Sequence, residues 1–290
     1  MERDNYPALY RKADSASLEA QRKYLSAIRW QIFLLMCGAG LSIKSMPDAW
    51  YSVTNAAIFI AAIGVSILIA NRNYEKSWYG TRALAESVKT STWRFMMKSE
   101  PFHSSEDTTE AKRLFLSRIR EISNSNNQTD IAMNGSNEGI DQVTVEMQRI
   151  RALSLDERKR FYLDHRIKEQ ADWYSIKATL NKRRSSQFFI ILIILQVLAV
   201  LSVLFQIGFP EWEFWPTNIL AVSTTGIMTW IQLKRYREIA ASYSLTANEI
   251  GIIKGELEDA ENDDEFADFV SDAENAFSRE HTQWIAKHER

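Results

Sequence analysis

The sequence has few of the residues from which catalytic and metal sites are built. It holds one cysteine, Cys37, and four histidines, so neither a disulfide framework nor a cysteine metal site forms within one chain. No HExxH, GxGxxG, Walker A or GxSxG pattern occurs. The net charge of -2 gives no general attraction for nucleic acid. We therefore predict a protein that is not an enzyme, has no catalytic or metal site and no cofactor, and does not bind nucleic acid.

Charge is also absent from long stretches, and these stretches predict the fold class. Residues 188–209 and 49–70 contain no charged side chain, and about 20 helical residues match the roughly 30 Å hydrocarbon layer of a bilayer. A shorter run at 30–46 and a more polar run at 215–233 each lie next to one of them across a proline-containing turn. Because backbone amides in lipid need partners within the segment, all four runs should be helical. The prediction is an all-α membrane protein with two transmembrane hairpins (four spans) and long cytoplasmic helical extensions.

The distribution of basic residues predicts the orientation. Lysines and arginines precede the first and third spans and follow the second and fourth. The hairpin turns hold Lys44 against Asp48, Glu211 and Glu213. By the positive-inside rule, both termini and the middle of the chain are cytoplasmic. The expected location is therefore the inner (plasma) membrane, crossed several times, with the lipid bilayer as a partner.

Each half of the chain repeats the same order of elements, which indicates a tandem duplication. The order is a charged helix, a span, a turn, a second span and a cytoplasmic extension. An Asn-rich segment at 123–142 is predicted to be the linker, so that the two units cover residues 1–122 and 143–290. Three residues in each half share one mutual spacing: Gly64, Tyr74 and Ala85, and Gly226, Tyr236 and Ala247.

The extensions are predicted to continue their spans as unbroken helices, through residues 71–100 in the first half and beyond 233 in the second. In the first half a shorter return helix is predicted at 106–122, with an apolar stripe of Ala111, Phe115, Ile119 and Ile122. Apolar residues after the fourth span alternate spacings of three and four, as in a coiled-coil seam. An acidic turn at 258–265 then leads into a helix that folds back. Its carboxylates form either a solvated helix turn or a site for a divalent cation. The seam residues are Ile239, Tyr243, Ile250, Ile253 and Leu257.

Small and polar residues recur along the second and fourth spans. Small residues four apart let membrane helices approach closely, and hydroxyls hydrogen-bond across the contact. Such a face is either a helix contact or a water-facing pore lining. Because a four-helix monomer fills its own centre, conduction would require a homo-oligomer. The candidate residues are Asn55, Ala62 and Ser66, and Asn218, Thr225 and Thr229.

Segments in both halves resemble a known family. The first half reads RALAESVK at 82–89, then Trp93, Arg94 and Phe95, then SEPF at 99–102. The second half has residues 160–170 before the hairpin and a further group after it. Together they resemble two tandem SLATT domains, the two-transmembrane effector domains associated with SMODS nucleotidyltransferases and SLOG nucleotide-sensing domains. Trp173 and Tyr174 also precede the hairpin, and the group after it is Glu274, Ser278, Arg279, Glu280, His281 and Trp284.

The resemblance implies a pore-forming effector of a prokaryotic antiviral defence system, oligomeric and gated by a nucleotide second messenger or by a sensor or synthase partner. It brings no catalytic residues. Two other functions stay open: a membrane-anchored adaptor that docks a soluble partner without conducting, and an enzyme or metal-dependent regulator using the acidic turn. The motif residues expected on the cytoplasmic side are Arg82, Glu86, Trp93, Arg94, Glu274, Arg279, Glu280 and Trp284.

Overall fold

The computed structural model describes residues 1–42, 49–103, 108–125, 140–212, 215–257 and 260–286, with side chains as far as residue 278. The described residues form helices and no strand, which confirms the predicted all-α class for this part of the chain. Most of the predicted linker (126–139), Lys44, Asp48 and Glu213 lie outside it. The helices are α1 (Ala8–Leu41), α2 (Ala49–Arg72), α3 (Tyr74–Met97), α4 (Thr108–Ser125), α5 (Val145–Arg151), α6 (Leu155–Tyr162), a π-helical segment (Leu163–Lys168), α7 (Glu169–Gly208), α8 (Thr217–Lys234), α9 (Tyr236–Glu256) and α10 (Asp263–Ala286).

Three helical stretches among the described residues are long and apolar enough to cross a membrane: Ala8–Leu41, Ala49–Met97 and Leu155–Gly208. The apolar windows of the last two are only 6% buried within the chain. Continuous apolar surface of this extent is not stable in water and needs lipid or another protein against it. The fourth predicted span is a helix of 18 residues, α8, but it is more polar than these three. The membrane assignment thus holds for three helices, and the fourth span stays a prediction.

Tertiary contacts divide the chain into two units. We call Arg22–Tyr74 with Ala178–Ala241 the membrane unit, because it contains the apolar parts of α1, α2 and α7 together with α8. We call Met1–Gln21, Glu75–Lys177 and Ser242–Arg290 the extension unit. Helices α1 and α7 contribute residues to both units without a break in the helix.

In the membrane unit, α1 and α8 pack closely and antiparallel. Gly226 of α8 lies against Ile32 of α1, and an added Cβ would be 2.7 Å from Ile32 Cγ2. Toward the other end of this helix pair, Gly40 of α1 lies against Ile219 of α8, and an added Cβ at Gly40 would be 3.3 Å from Ile219 Cδ1. Residue numbers therefore increase along α1 in the direction in which they decrease along α8, so the two helices are antiparallel. The two glycines permit the close approach that a side chain would prevent.

The other two helices of the membrane unit are joined to this pair by further contacts. Gly38 of α1 lies against the ring of Phe59 of α2, and an added Cβ at Gly38 would be 3.0 Å from Phe59 Cζ. The hydroxyls of Ser202 on α7 and Thr217 on α8 are hydrogen-bonded at 2.7 Å. Hence α2 packs on α1, and α7 packs on α8.

The extension unit has a conventional apolar core. The predicted stripe of α4 is confirmed, because Ala111, Phe115, Ile119 and Ile122 are all buried. They pack with buried residues of α3 and α10, among them Phe95. Burying one such aromatic or aliphatic side chain contributes about 1.5–3 kcal/mol. This unit therefore has an apolar core of its own.

The prediction of unbroken helices after the second and fourth spans was wrong. Asn73 (φ 47°) separates α2 from α3, and Arg235 (φ 44°) separates α8 from α9. Apolar periodicity cannot detect one residue in the left-handed conformation, which asparagine tolerates better than most side chains. The breaks lie immediately before Tyr74 and Tyr236, so they occur at the same place in the two halves.

Candidate functional site

The outward faces of the membrane-unit helices differ in polarity. In the middle of α2 the exposed side chains are apolar except Ser66, and along residues 188–205 of α7 they are apolar except Gln196. Ile60 on α2 is 68% exposed and Val200 on α7 is 59% exposed. The exposed stripe of α8 is instead mostly polar, and its spacings of three and four place it on one face. It consists of Asn218, Ala221, Thr225, Met228, Thr229 and Gln232.

Lipid suits the faces of α2 and α7 but not that of α8. Side-chain amides in hydrocarbon lose their hydrogen bonds to water, at about 1–3 kcal/mol for each group left unpaired. The hydroxyls of α8 avoid part of this cost, because Thr225 and Thr229 donate to the carbonyls of Ala221 and Thr225 at 3.1 and 2.9 Å. No such bond within the helix serves Asn218 or Gln232 in the described structure. The face is therefore suited to water or to another polar surface.

The six residues predicted on the two spans fall into two groups. Asn55 and Ala62 of α2 are turned toward the bundle: Ala62 is 4% exposed, and Asn55 Nδ2 donates to Ser42 Oγ at 3.0 Å. The other four, one on α2 and three on α8, are exposed. Among the described residues, no hydrogen bond joins the three candidates on α2 to the three candidates on α8. The exposed members are Ser66, Asn218, Thr225 and Thr229.

The structure places the family-motif residues of α3 at separate points of the extension unit. Arg82 pairs with Glu86 at 2.7 Å and with Asp14 of α1 at 3.4 Å. Arg94 lies elsewhere and donates to Asn275 Oδ1 on α10 at 2.7 Å. Both contacts connect α3 to a neighbouring helix. The side chains of Arg279, Glu280 and Trp284 lie outside the described part of the chain.

Trp93 and Glu274, from different halves of the chain, meet around one buried arginine. Arg166 donates from Nε and Nη2 to the Glu274 carboxylate at 2.7 and 2.6 Å, and neither side chain is more than 2% exposed. Its guanidinium lies 5.8 Å from the ring centroid of Trp93 and 4.9 Å from that of Phe277. The hydroxyl of Tyr162 donates to Glu274 Oε1 at 3.0 Å. A full ion pair thus occupies the middle of an apolar core.

The protonation states of this cluster follow from its burial. Burial works against the charge of Arg166, but the Glu274 carboxylate outweighs it and raises the pKa of Arg166 above its usual range. Burial, with the same carboxylate, raises the pKa of Tyr162 well above its usual value, so that it remains a donor. Burial and the charge of Arg166 lower the pKa of Lys89. The cluster is therefore an ion pair with a fixed hydrogen-bond donor, Tyr162.

Two more buried arginines close the end of α3. Arg151 donates to the carbonyls of Phe95 and Phe102 at 2.5 and 2.9 Å, and Arg158 donates to that of Met97 at 2.9 Å. The last carbonyls of a helix lack partners, and the helix dipole favours a cation there. Burial and the nearby Arg158 lower the pKa of Arg151 to about 10, which still leaves it charged at neutral pH. These arginines therefore have a structural role.

The seam residues pack within their own chain. Ile250 and Leu257 are buried, Ile239 and Ile253 are partly buried, and Tyr243 lies against aromatic rings of α7. Its ring centroid is 5.3 Å from those of Trp173 and Tyr174. The apolar pattern of α9 is thus used inside the extension unit.

Three described carboxylates of the acidic turn, those of Asp263, Asp264 and Glu265, have protein partners. Asp263 pairs with Arg158, and Asp264 lies 2.6 Å from His103 Nε2. Glu265 accepts the backbone N–H of Glu261 at 2.7 Å. The described residues contain no group of three or more metal-binding side chains. Glu258 and Asp259 lie outside them.

An open groove of about 670 Å³ runs between α9 and α10 in the extension unit. Ile253 and Phe269 form its apolar part, and Glu249, Glu256 and Asp272 lie along its edges. Its described lining has no cysteine, histidine or cation. The groove therefore offers an apolar contact surface bordered by carboxylates.

Two family models match the chain in tandem. Residues 7–159 match the SMODS and SLOG-associating 2TM effector domain 3, and residues 162–284 match the SMODS and SLOG-associating 2TM effector domain 1. Trp93 lies in the first match, whereas Arg166 and Glu274 lie in the second. No curated protein and no solved structure matches the chain.

Proposed function

The chain belongs to the SLATT family, with two SLATT domains in tandem, and from that premise we propose that it is a pore-forming membrane effector of a prokaryotic defence system. SLATT domains are linked to a membrane effector role in such systems and are not known as catalytic families. In this proposal the protein crosses the plasma membrane four times, with both termini in the cytoplasm. It assembles into a homo-oligomer that opens in response to a nucleotide signal or to a sensor or synthase partner.

The polar face of α8 is the observation that carries the proposal. If several subunits turn α8 inward, Asn218, Thr225 and Thr229 line a water-filled path while the apolar faces of α2 and α7 meet lipid. This arrangement places every amide of that face in water, where its hydrogen bonds are satisfied. The moderate polarity of α8, which distinguishes it from the other three helices, is what a lining helix requires.

The continuity of α1 and α7 supports a route by which a signal could open the pore. Asn73 and Arg235 interrupt the chain after α2 and α8, whereas α1 and α7 continue without a break from the extension unit into the membrane unit. A helix transmits rotation and translation along its length, and a left-handed residue between two helices permits a change of direction. A cytoplasmic signal would therefore reach the membrane through α1 and α7.

Dye release from liposomes tests the pore. Purified protein is reconstituted at increasing protein-to-lipid ratios, with and without candidate nucleotide second messengers, and release of a self-quenched dye is measured together with the oligomeric state. We expect release that rises with oligomer content. In Asn218→Leu/Thr225→Leu/Thr229→Leu it should fall at least about tenfold, because an apolar lining excludes water. Ile60→Leu/Ile63→Leu/Ile67→Leu on α2 is the matched control and should release dye like the wild type.

The same experiment addresses the adaptor function. An adaptor has the same membrane helices but no continuous water along α8. Dye retained in every oligomeric state, or equal release by the α8 and α2 variants, would contradict a pore and favour the non-conducting adaptor.

A further inference from the structure

Two cations from different helices share one indole ring in the membrane unit. Arg29 of α1 lies with its Cζ atom 5.5 Å from the ring centroid of Trp230 on α8. Lys234, the last residue of α8, places its Nζ atom 5.8 Å from the same centroid. A ring face attracts one cation by its quadrupole, but two cations at one ring repel each other. An anion between them would remove this repulsion.

A third cation lies near Lys234. Arg184 of α7 and Arg29 both repel the charge of Lys234, so α1, α7 and α8 each contribute one cation. Within the described part of the chain, none of the three has an ion-pair or hydrogen-bond partner. The only described acidic residue near this end of α8 in sequence, Glu238, is paired with Arg235. The cluster is therefore positively charged without a compensating carboxylate.

The cluster lies where the apolar segments of all three helices end. Arg29 immediately precedes the apolar run of α1, Arg184 lies four residues before Phe188 on α7, and Lys234 ends α8. Tryptophan is favoured at the interface between hydrocarbon and headgroups, and Trp230 is on this level. The phosphate groups of phospholipids occupy the same level of a bilayer.

We propose that Arg29, Arg184 and Lys234 bind the phosphate of an anionic phospholipid, with Trp230 packed beneath it. Guanidinium groups bind phosphate oxygens through paired hydrogen bonds, and the ammonium adds a point charge. The ligand joins α1, α7 and α8 at one end. The proposal depends on the placement of these helices in the membrane that the proposed function includes, but it does not depend on conduction.

Lipid titration of the purified full-length protein in neutral detergent tests the site. Phosphatidylglycerol is the probe, phosphatidylcholine the neutral comparison and inorganic phosphate the lipid-free anion, with binding measured by native mass spectrometry and thermal shift. The site variant is Arg29→Gln/Arg184→Gln/Lys234→Gln. Lys182→Gln/Arg183→Gln/Arg237→Gln removes the same charge from exposed positions and is the matched control.

We expect the site variant to bind phosphatidylglycerol at least about tenfold more weakly than wild type, since each basic residue near an anionic lipid contributes about 1 kcal/mol. The control variant should lose clearly less affinity for phosphatidylglycerol than the site variant does. The charge-conserving variant Arg29→Lys/Arg184→Lys/Lys234→Arg should retain most of the affinity, which separates loss of the site from loss of the fold.

Three results would overturn the proposal. Equal weakening in the site and control variants would show attraction by net charge alone. Binding of inorganic phosphate as tight as that of phosphatidylglycerol would assign the site to a free anion. Equal affinity for phosphatidylcholine would exclude selection of anionic lipid. Because lipid binding is measured without conduction, failure of this site is distinguishable from failure of the pore.

Discussion

At the scale of single residues, the ion pair between Arg166 and Glu274 has the largest effect on the extension unit. Removing two charges from water is costly, and here the cost is offset by two short charge-assisted hydrogen bonds and by the donor Tyr162. Losing one partner leaves the other charged, buried and alone. Loss of either side chain should therefore be far more harmful than loss of an exposed ion pair.

Glu274→Gln should lower the free energy of unfolding of the extension unit by about 3–5 kcal/mol, because it leaves the Arg166 charge uncompensated. Thermal and denaturant unfolding of the purified chain in detergent measures this change. The matched control is Glu121→Gln, which breaks the exposed Arg118 pair at 2.6 Å and should cost less than about 1 kcal/mol. Similar losses for the two variants would contradict the structural role of the buried pair.

His103 should make stability depend on pH. Its Nδ1 lies 2.9 Å from the carbonyl oxygen of Lys98 and its Nε2 lies 2.6 Å from Asp264. The bond to the Lys98 carbonyl, with that to Asp264, raises the pKa of His103 above its ordinary value of 6.5. A raised folded-state pKa favours the charged form, so this contribution is full below pH 6.5 and is lost as the pH rises through the folded pKa.

The measurement is the stability difference between wild type and His103→Gln at about pH 5.5 and pH 8. We expect the wild-type advantage to be larger at the lower pH, by less than about 1 kcal/mol because Asp264 is largely exposed. A larger advantage at the higher pH would contradict the assigned bonds.

Sequence reasoning identified part of the buried cluster. Trp93 and Glu274 were named individually through a family resemblance. Tyr162 and Arg166 lie inside the resembling segment 160–170 but were not singled out, because that segment is highly charged and such residues are normally solvated. The π-helical segment adds a residue to the turn that holds Arg166, which a period of 3.6 does not anticipate. Arg158 and Arg166 do lie about two turns apart along α6 and the π-helical segment, and this spacing is the available sign of one buried face.

At the scale of elements, apolar periodicity predicted the α4 stripe and the seam of α9 because burial of one helix face repeats along the sequence. The breaks at Asn73 and Arg235 were not predictable in this way, since each depends on one backbone conformation. The close contact of α1 with α8 depends on Gly226 having no side chain, a property that periodicity also does not register.

Gly226 and Gly64 occupy matching positions in the two halves but differ in surroundings. An added Cβ at Gly226 would lie 2.7 Å from Ile32 Cγ2, whereas Gly64 has nothing within 4 Å. Gly226→Ala should destabilise the contact of α1 with α8 by about 1–3 kcal/mol, because the Ile32 Cγ2 methyl can move aside only by leaving the one χ1 rotamer that isoleucine favours in a helix. Gly64→Ala should be neutral or slightly stabilising, since alanine favours helix.

Thermal unfolding of both variants in detergent measures this difference. Cross-linking between α1 and α8 provides an independent report of the contact. Equal shifts for Gly226→Ala and Gly64→Ala would contradict the packing of α8 on α1.

At the scale of the whole molecule, hydropathy identifies three membrane-spanning candidates and undervalues α8. The windows on α2 and α7 are so apolar, and so little buried, that their environment follows from composition alone. For α8 the average combines an apolar face that packs on α1 and α7 with the exposed polar face. The spacing of Asn218, Thr225 and Thr229 predicted a polar face, and the structure shows that this face is exposed, which is the basis of the proposed pore.

The central claim is that the polar face of α8 meets water within the membrane. Cys37 is the only cysteine of the chain, so Cys37→Ser provides a background without thiols. In this background, Thr225→Cys on α8 is compared with Ile194→Cys on α7, which is 52% exposed on an apolar face. The measurement is the rate of modification by a charged, membrane-impermeant thiol reagent, in liposomes that release dye. We predict that Thr225→Cys reacts at least about tenfold faster, because only a hydrated thiol ionises and reacts; equal, slow reaction at both positions would contradict a water-lined α8.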